Sequence, residues 1–198
     1  MASSWERLAS VTLSSTGDTL STGTFTAKKH LMVSWTTIPS GNANPKVRLN
    51  NDSGSNYTRR IQEDYGSDGT STSLSEVGYE RGNDDVVYAN LNIINIANKE
   101  KLITSHSISN GGDGAGNAPK SGEIIWKWVN TSDQVTRVDV INTANGDFAV
   151  GSTITVWGAE DQGTTPVYPN IPNGTIFEDS TNGKHYMWDG TSAWNEMA

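Results

Sequence analysis

The residues able to do chemistry are few and dispersed. The three histidines, His30, His106 and His185, fall on separate predicted strands, none at metal-ligand spacing from another, and the chain has no cysteine to complete a zinc set. They read as structural or surface imidazoles. Adjacent acids stand at Glu63-Asp64 and Asp84-Asp85. Glycoside hydrolysis uses carboxylates in pairs, but these lie in polar loops where acids are ordinarily solvated. Neither a Gly-x-Ser-x-Gly elbow nor a phosphate loop occurs. The expectation is a chain that is not an enzyme, with no catalytic residue, cofactor or metal.

Two binding chemistries deserve weighing against turns and core. Asn50-Asn51-Asp52-Ser53 and Asn83-Asp84-Asp85 offer the oxygen ligands a calcium ion prefers, without EF-hand spacing. The simpler reading is turns, because Asn and Asp tolerate left-handed backbone and cap their own chain. The Gly111 to Gly116 loop reads as a connection in the same way. Tyr65, Tyr79, Trp126, Trp128, Trp157 and Tyr168 could form a sugar-stacking platform beside Asn and Asp hydrogen-bonders. However, Trp126 and Trp128 alternate in register with Ile124, which marks that face as core. Asn-x-Ser/Thr sequons at Asn51, Asn56, Asn130 and Asn173 arise easily in a chain rich in Asn and Thr.

Composition bounds the architecture. The chain has 198 residues, 34% of them hydrophobic, enough for one good core and a small appendage. Twenty glycines and only 18% charged residues suit an all-β protein with many turns. The net charge of −8 argues against a general affinity for nucleic acid, since the most basic local feature is the short pair Arg59-Arg60. Met1 to Arg7 lacks the pattern of a signal peptide, so a soluble chain made in the cytosol is expected. Val86 to Ala97, the most apolar stretch, is interrupted by Asn90, Asn92 and Asn95, which argues against membrane insertion.

Hydrophobic alternation then predicts the strands that must position any site. Period-two patterns run over Trp5 to Leu13, Asp18 to Thr26, His30 to Ile38, Lys46 to Asn50 and Tyr57 to Glu63, the last two joined as a hairpin across Asn51 to Asn56. Tyr65 to Asp85 reads as a long surface excursion with one short edge strand, of the kind that often carries binding. Val86 to Ala97 opposes Val87, Ala89, Leu91 and Ile93 to Tyr88, Asn90 and Asn92, with a bulge expected at the slip near Ile93-Ile94. Lys101 to Ser109 puts Leu102, Thr104, His106 and Ile108 on one side. Gly122 to Asn130, Val135 to Asn142 and Ser152 to Trp157 complete an antiparallel, jelly-roll-like β-sandwich over residues 1–160.

After Glu160 the prolines Pro166, Pro169 and Pro172 predict a linker over 161–173. Residues 174–198 read as an aromatic β-hairpin, closed by the Trp188-Asp189-Gly190-Thr191 turn. So short a piece cannot build its own core and must dock on something. Phe177, Tyr186, Trp188 and Trp194 are therefore the expected assembly interface.

The segment Arg48-Leu49-Asn50-Asn51-Asp52-Ser53-Gly54-Ser55-Asn56-Tyr57 resembles a hairpin of β-sandwich virion proteins in tailed bacteriophages and related prokaryotic viruses. Gly151-Ser152-Thr153-Ile154-Thr155-Val156-Trp157-Gly158 is similar to their closing strand, with Trp157 where Tyr is more usual. The aromatic tail resembles short hairpins at the ends of phage fibre proteins. The resemblance implies a structural or accessory subunit located in the virion, such as a capsid decoration, turret or tail-fibre component. Its expected partners are copies of itself and other virion proteins. The alternative is a module displayed on the virion that binds a receptor or host surface glycan, with Tyr65 and Tyr79 in the contact region.

Overall fold

A computed structural model of the chain describes residues 5–78, 85–161, 171–190 and 193–197. The chain divides into two compact units, a body, Ser4–Asp161, and a smaller unit that includes Gln162–Ala198. The described strands of the body are β1 (Glu6–Thr12), β2 (Thr19–Ser21), β3 (His30–Thr37), β4 (Pro39–Ser40), β5 (Pro45–Leu49), β6 (Tyr57–Glu63), β7 (Gly69–Leu74), β8 (Val87–Ile94), β9 (Lys101–Ser109), β10 (Lys120–Trp128), β11 (Val138–Asn142), β12 (Asp147–Phe148) and β13 (Thr153–Ala159). The second unit holds β14 (Ile176–Asp179), β15 (Lys184–Trp188) and β16 (Trp194–Glu196). The expected linker falls mostly on 162–170, outside the described residues.

The fold is the expected all-β antiparallel sandwich, with its strands divided unequally. Eight form one sheet in the order β1-β13-β3-β8-β9-β10-β6-β7, and three form another, β2-β11-β5. Period-two alternation decides what lies between them. Leu31, Val33 and Trp35 from β3 and Ala89, Leu91 and Ile93 from β8 meet Leu20, Leu49, Val138 and Val140 from the small sheet in one buried cluster. Trp126 and Trp128 join it from β10, in agreement with their register with Ile124.

The predicted hairpin between Lys46–Asn50 and Tyr57–Glu63 does not form. β5 pairs with β11 in the small sheet, whereas β6 pairs with β10 and β7 in the large one. Asn50 to Asn56 is a corner that carries the chain from one sheet to the other. Asn50 and Asn51 both take left-handed backbone, with φ of 52° and 56°. The Asn50 Oδ1 accepts from the backbone N–H groups of Thr136 at 2.8 Å and Arg137 at 3.1 Å, and its Nδ2 donates to the Gln134 carbonyl at 2.8 Å. Asp52 accepts from the Gly54 N–H at 2.8 Å, Asn56 Nδ2 at 2.9 Å and Trp128 Nε1 at 2.6 Å. The Tyr57 hydroxyl, fully buried, accepts from the Leu49 N–H at 3.0 Å and donates to the Asp52 carbonyl at 3.0 Å. The corner thus supplies partners to backbone groups that leaving either sheet would orphan.

Two further expectations are revised. The Asp18–Thr26 strand shortens to β2, because Gly23 turns left-handed at φ 64° and Phe25 donates instead to the Thr136 carbonyl at 2.7 Å. The bulge near Ile93-Ile94 is absent; β8 keeps unbroken register with β3 and β9 to its last residue. The apparent slip is an apolar residue, Ile94, at an outward position. The β9 strand alternates as predicted, but Leu102, Thr104, His106 and Ile108 face outward, while Lys101, Ile103, Ser107 and Ser109 are buried. The excursion after Tyr65 does contain one edge strand, β7.

The Lys101 ammonium is fully buried. It donates to the carbonyls of Lys99 at 2.5 Å and Asn130 at 3.2 Å and lies 6.0 Å from the Trp128 ring centroid. Burial pushes its pKa below the ordinary lysine value, against the raising influence of Asp133.

Burial works to raise the Asp52 pKa, but hydrogen bonds from Trp128, Asn56 and Gly54, with the charge of Arg48, outweigh it and hold the carboxyl below its ordinary value. A depressed folded-state pKa means stability that is present above the unfolded value of about 3.9 and is lost as pH falls through the lower folded value. Asp52→Asn should therefore flatten the acid limb of the stability curve, measured by urea unfolding between neutral pH and pH about 3. An unchanged acid limb would remove Asp52 from that role. Tyr57→Phe, which leaves the buried Leu49 N–H without its acceptor, should cost about 1–3 kcal/mol in the same assay at neutral pH.

Candidate assembly site

The second unit is an antiparallel meander, β14-β15-β16. Its first turn is held by Asp179, whose Oδ1 accepts from the Thr181 N–H at 3.0 Å and whose carbonyl accepts from the Gly183 N–H at 2.8 Å, with Gly183 left-handed. At the second turn Asp189 Oδ1 accepts from the Ala193 N–H at 3.1 Å. Gly190 follows with φ 81°, and a Cβ there would stand 2.9 Å from the Asn173 Cβ, so that position requires glycine. The Asp-Gly signal read from the sequence is this turn.

Strand register gathers the predicted aromatics on one face. Phe177 pairs with Tyr186, and Trp188 pairs with Trp194. The rings lie 6.5 Å apart for Phe177–Tyr186, 5.9 Å for Phe177–Trp194 and 5.4 Å for Trp188–Trp194, all tilted and within the range of aromatic pair contacts. Phe177, Tyr186 and Trp194 line a groove of about 440 Å³, with Ile171 as a further wall. Trp188 is buried, whereas Phe177 remains 53% exposed. The opposite face pairs Ile176 with Met187, and Ile176 is 59% exposed. Lys184 closes one end in an ion pair with Glu196 at 2.8 Å.

Ile171 was not singled out by sequence reasoning, because its neighbours Asn170 and Pro172 place it in a predicted linker. The outer pair Ile176 and Met187 did carry a signal, since each stands directly beside an aromatic residue of the inner face, Phe177 for one and Tyr186 and Trp188 for the other.

The other predicted site residues are not brought together. Tyr65 is 92% exposed on the turn after β6, at φ 59°. Tyr79, Asp84 and Tyr168 lie outside the described residues. Trp126 is in the core, its Nε1 donating to Ser105 Oγ at 2.6 Å, and Trp157 sits on β13, five strand positions from β6. The candidate acids are held as structural groups. Asp64 accepts from the Ser121 N–H at 2.8 Å, and Asp85 accepts from Ser109 Oγ at 3.1 Å and Lys120 Nζ at 3.0 Å. His30 Nε2 lies 2.8 Å from Asp161 Oδ1, and Lys29 pairs with the same carboxylate. Hydrogen bonds from Lys29 and His30 hold the Asp161 carboxyl below its ordinary value. His106 and His185 are exposed on β9 and β15. Among the described residues no group of three His, Asp or Glu side chains is placed to hold a metal ion, and the Asp52 carboxylate is occupied by the corner it stabilises.

No family model matches the chain, and no curated protein or solved structure matches it either.

At concentrations low enough to keep the chain dissociated, the exposed aromatic groove should bind a hydrophobic dye such as anilinonaphthalene sulfonate, the probe of accessible apolar surface. Trp194→Ser should lower that fluorescence at equal concentration while the body's unfolding midpoint stays the same. Dye binding unaffected by the substitution would mean the groove is closed.

Proposed function

We propose that this chain is a non-enzymatic structural or accessory subunit of a virion, which assembles as a symmetric oligomer and uses its C-terminal meander to grip a neighbouring subunit. The observation that carries this reading is the meander itself: a three-stranded sheet with apolar side chains on both faces and an open aromatic groove on one. A unit this small has little core of its own to stabilise it. Covering Phe177, Tyr186 and Trp194 would contribute several kcal/mol, at about 1.5–3 kcal/mol for each large apolar side chain removed from water, before the ordering cost of association. Symmetry repeats that contribution at every contact. The virion setting is supported by the resemblance of the Arg48–Tyr57 and Gly151–Gly158 segments to phage β-sandwich proteins.

A second reading, a receptor- or glycan-binding module displayed on the virion, is favoured by one observation, the near-complete exposure of Tyr65 on its left-handed turn. An aromatic ring presented this way can stack on a sugar.

Light scattering coupled to size-exclusion chromatography separates the readings. The full chain should be oligomeric, and the double variant Phe177→Ser, Trp194→Ser should show a smaller assembly with an unchanged circular dichroism spectrum. A wild-type chain that stays monomeric at all accessible concentrations overturns the assembly reading. Glycan-array binding that Tyr65→Ala abolishes would establish the second reading instead.

A further inference from the structure

The large sheet has two faces, and the small sheet covers one of them. A sheet with one face in the core normally turns polar side chains to solvent from the other. Here the outward face carries Met32, Tyr88, Ile94, Leu102, Ile108 and Ile125, all exposed, with Leu102 at 58% and Ile125 at 64%. In β9 the usual division is reversed: Leu102 and Ile108 point out while Ser107 and Ser109 are buried. The registers β3–β8, β8–β9 and β9–β10 place Met32, Ile94, Leu102 and Ile125 close together on contiguous strands, and Tyr88 beside Ile108 further along, with a polar row of Ser34, Asn90, His106 and Glu123 between the two groups.

Charge selects the occupant. The chain bears 22 acids against 14 lysines and arginines, and two copies approaching at random repel each other. Along the outward positions of β13, β3, β8, β9, β10 and β6, all described, Glu123 is the sole carboxylate, and it is accompanied by Lys127 and Arg60. Carboxylates from neighbouring segments meet those two cations, Glu100 at Lys127 at 2.7 Å and Asp68 at Arg60 at 3.6 Å, so the charges of this face are largely balanced within a chain of net charge −8. Six strands spaced by about 4.8 Å, each rising about 3.3 Å per residue, present on the order of 700 Å². A stable interface needs about 800 Å² from each partner, so the area matches.

We infer that the outward face of the eight-stranded sheet is a self-association surface, on which a second copy of this chain stacks sheet against sheet. This rests on the reading of the chain as an assembling subunit and names a contact separate from the C-terminal meander. Aligned sheets pack about 10 Å apart with their side chains interleaved, which would bury Leu102 and Ile125 in the contact and require Arg60, the cross-strand neighbour of Ile125, and Glu123 to find polar partners across it.

The test uses the full chain carrying Leu102→Glu and Ile125→Glu. Both positions are solvent-exposed in the single chain, so the folded subunit tolerates them, as an unchanged thermal unfolding midpoint would verify. Burying carboxylates within the contact should weaken association about a hundredfold or more in sedimentation equilibrium. A second measurement is independent of stability. Because the chain lacks cysteine, Thr104→Cys supplies a single thiol at the middle of the face. Its reaction with maleimide should be slow at high protein concentration and fast on dilution. An oligomer that survives both glutamates, or a Thr104→Cys thiol that reacts equally fast at all concentrations, overturns this surface and leaves the assembly reading standing. A wild-type chain that is monomeric throughout overturns both.

Discussion

Two sheets of unequal width share a single layer of apolar side chains, and everything in the body follows from how the chain crosses between them. The crossing at Asn50 to Tyr57 must leave one hydrogen-bonded ladder, turn sharply and enter another without stranding polar groups in the core. Two asparagines with left-handed backbone make the turn, Asp52 gathers three donors including the Trp128 indole, and the buried Tyr57 hydroxyl returns a bond to each side of the corner. These bonds join β5, β6 and β10, so the corner fixes the position of the small sheet over the large one. Low dielectric strengthens such a network and makes each missing partner costly.

The alternation that defines the strands was legible, because period two survives in nearly every one of them. Trp126 and Trp128 were recognised as core from their step with Ile124. The partner of each strand was not legible. A hairpin and a sheet-to-sheet corner draw on the same Asn, Asp and Gly residues, and only the non-local pairing of β5 with β11 tells them apart. The side facing solvent was also hidden wherever both sides are apolar. In β8 an outward Ile94 imitated a bulge, and in β9 the bulkier apolar residues lie on the exposed side. Both departures concern the same outer face, and local rules are expected to fail where a surface serves something beyond the fold of one chain.

At the candidate site, the aromatic quartet was readable from spacing, since Tyr186 and Trp188 stand two residues apart beside the Asp-Gly turn that leads to Trp194. Its three-strand organisation and the contribution of Ile171 emerge only from the register. Asp52, Asp64 and Asp85, three of the acids that might have suggested catalysis or calcium, serve instead as acceptors for backbone N–H groups, an indole, a hydroxyl or a lysine. Carboxylates in a chain rich in turns are recruited first by the turns themselves.

The position of β13 between β1 and β3 has a consequence for how the molecule is made. The last strand of the body lies inside the sheet, hydrogen-bonded on both sides to segments near the start of the chain. Until a ribosome has released Ala159, β3 has an open edge and β1 has no partner, so the sheet cannot close during synthesis of the earlier strands. Contacts this distant in sequence are slow to find and leave unpaired edges available to other nascent chains. The body therefore completes itself only once β13 has emerged, and early termination anywhere before β13 removes an interior strand of the sheet rather than trimming its border.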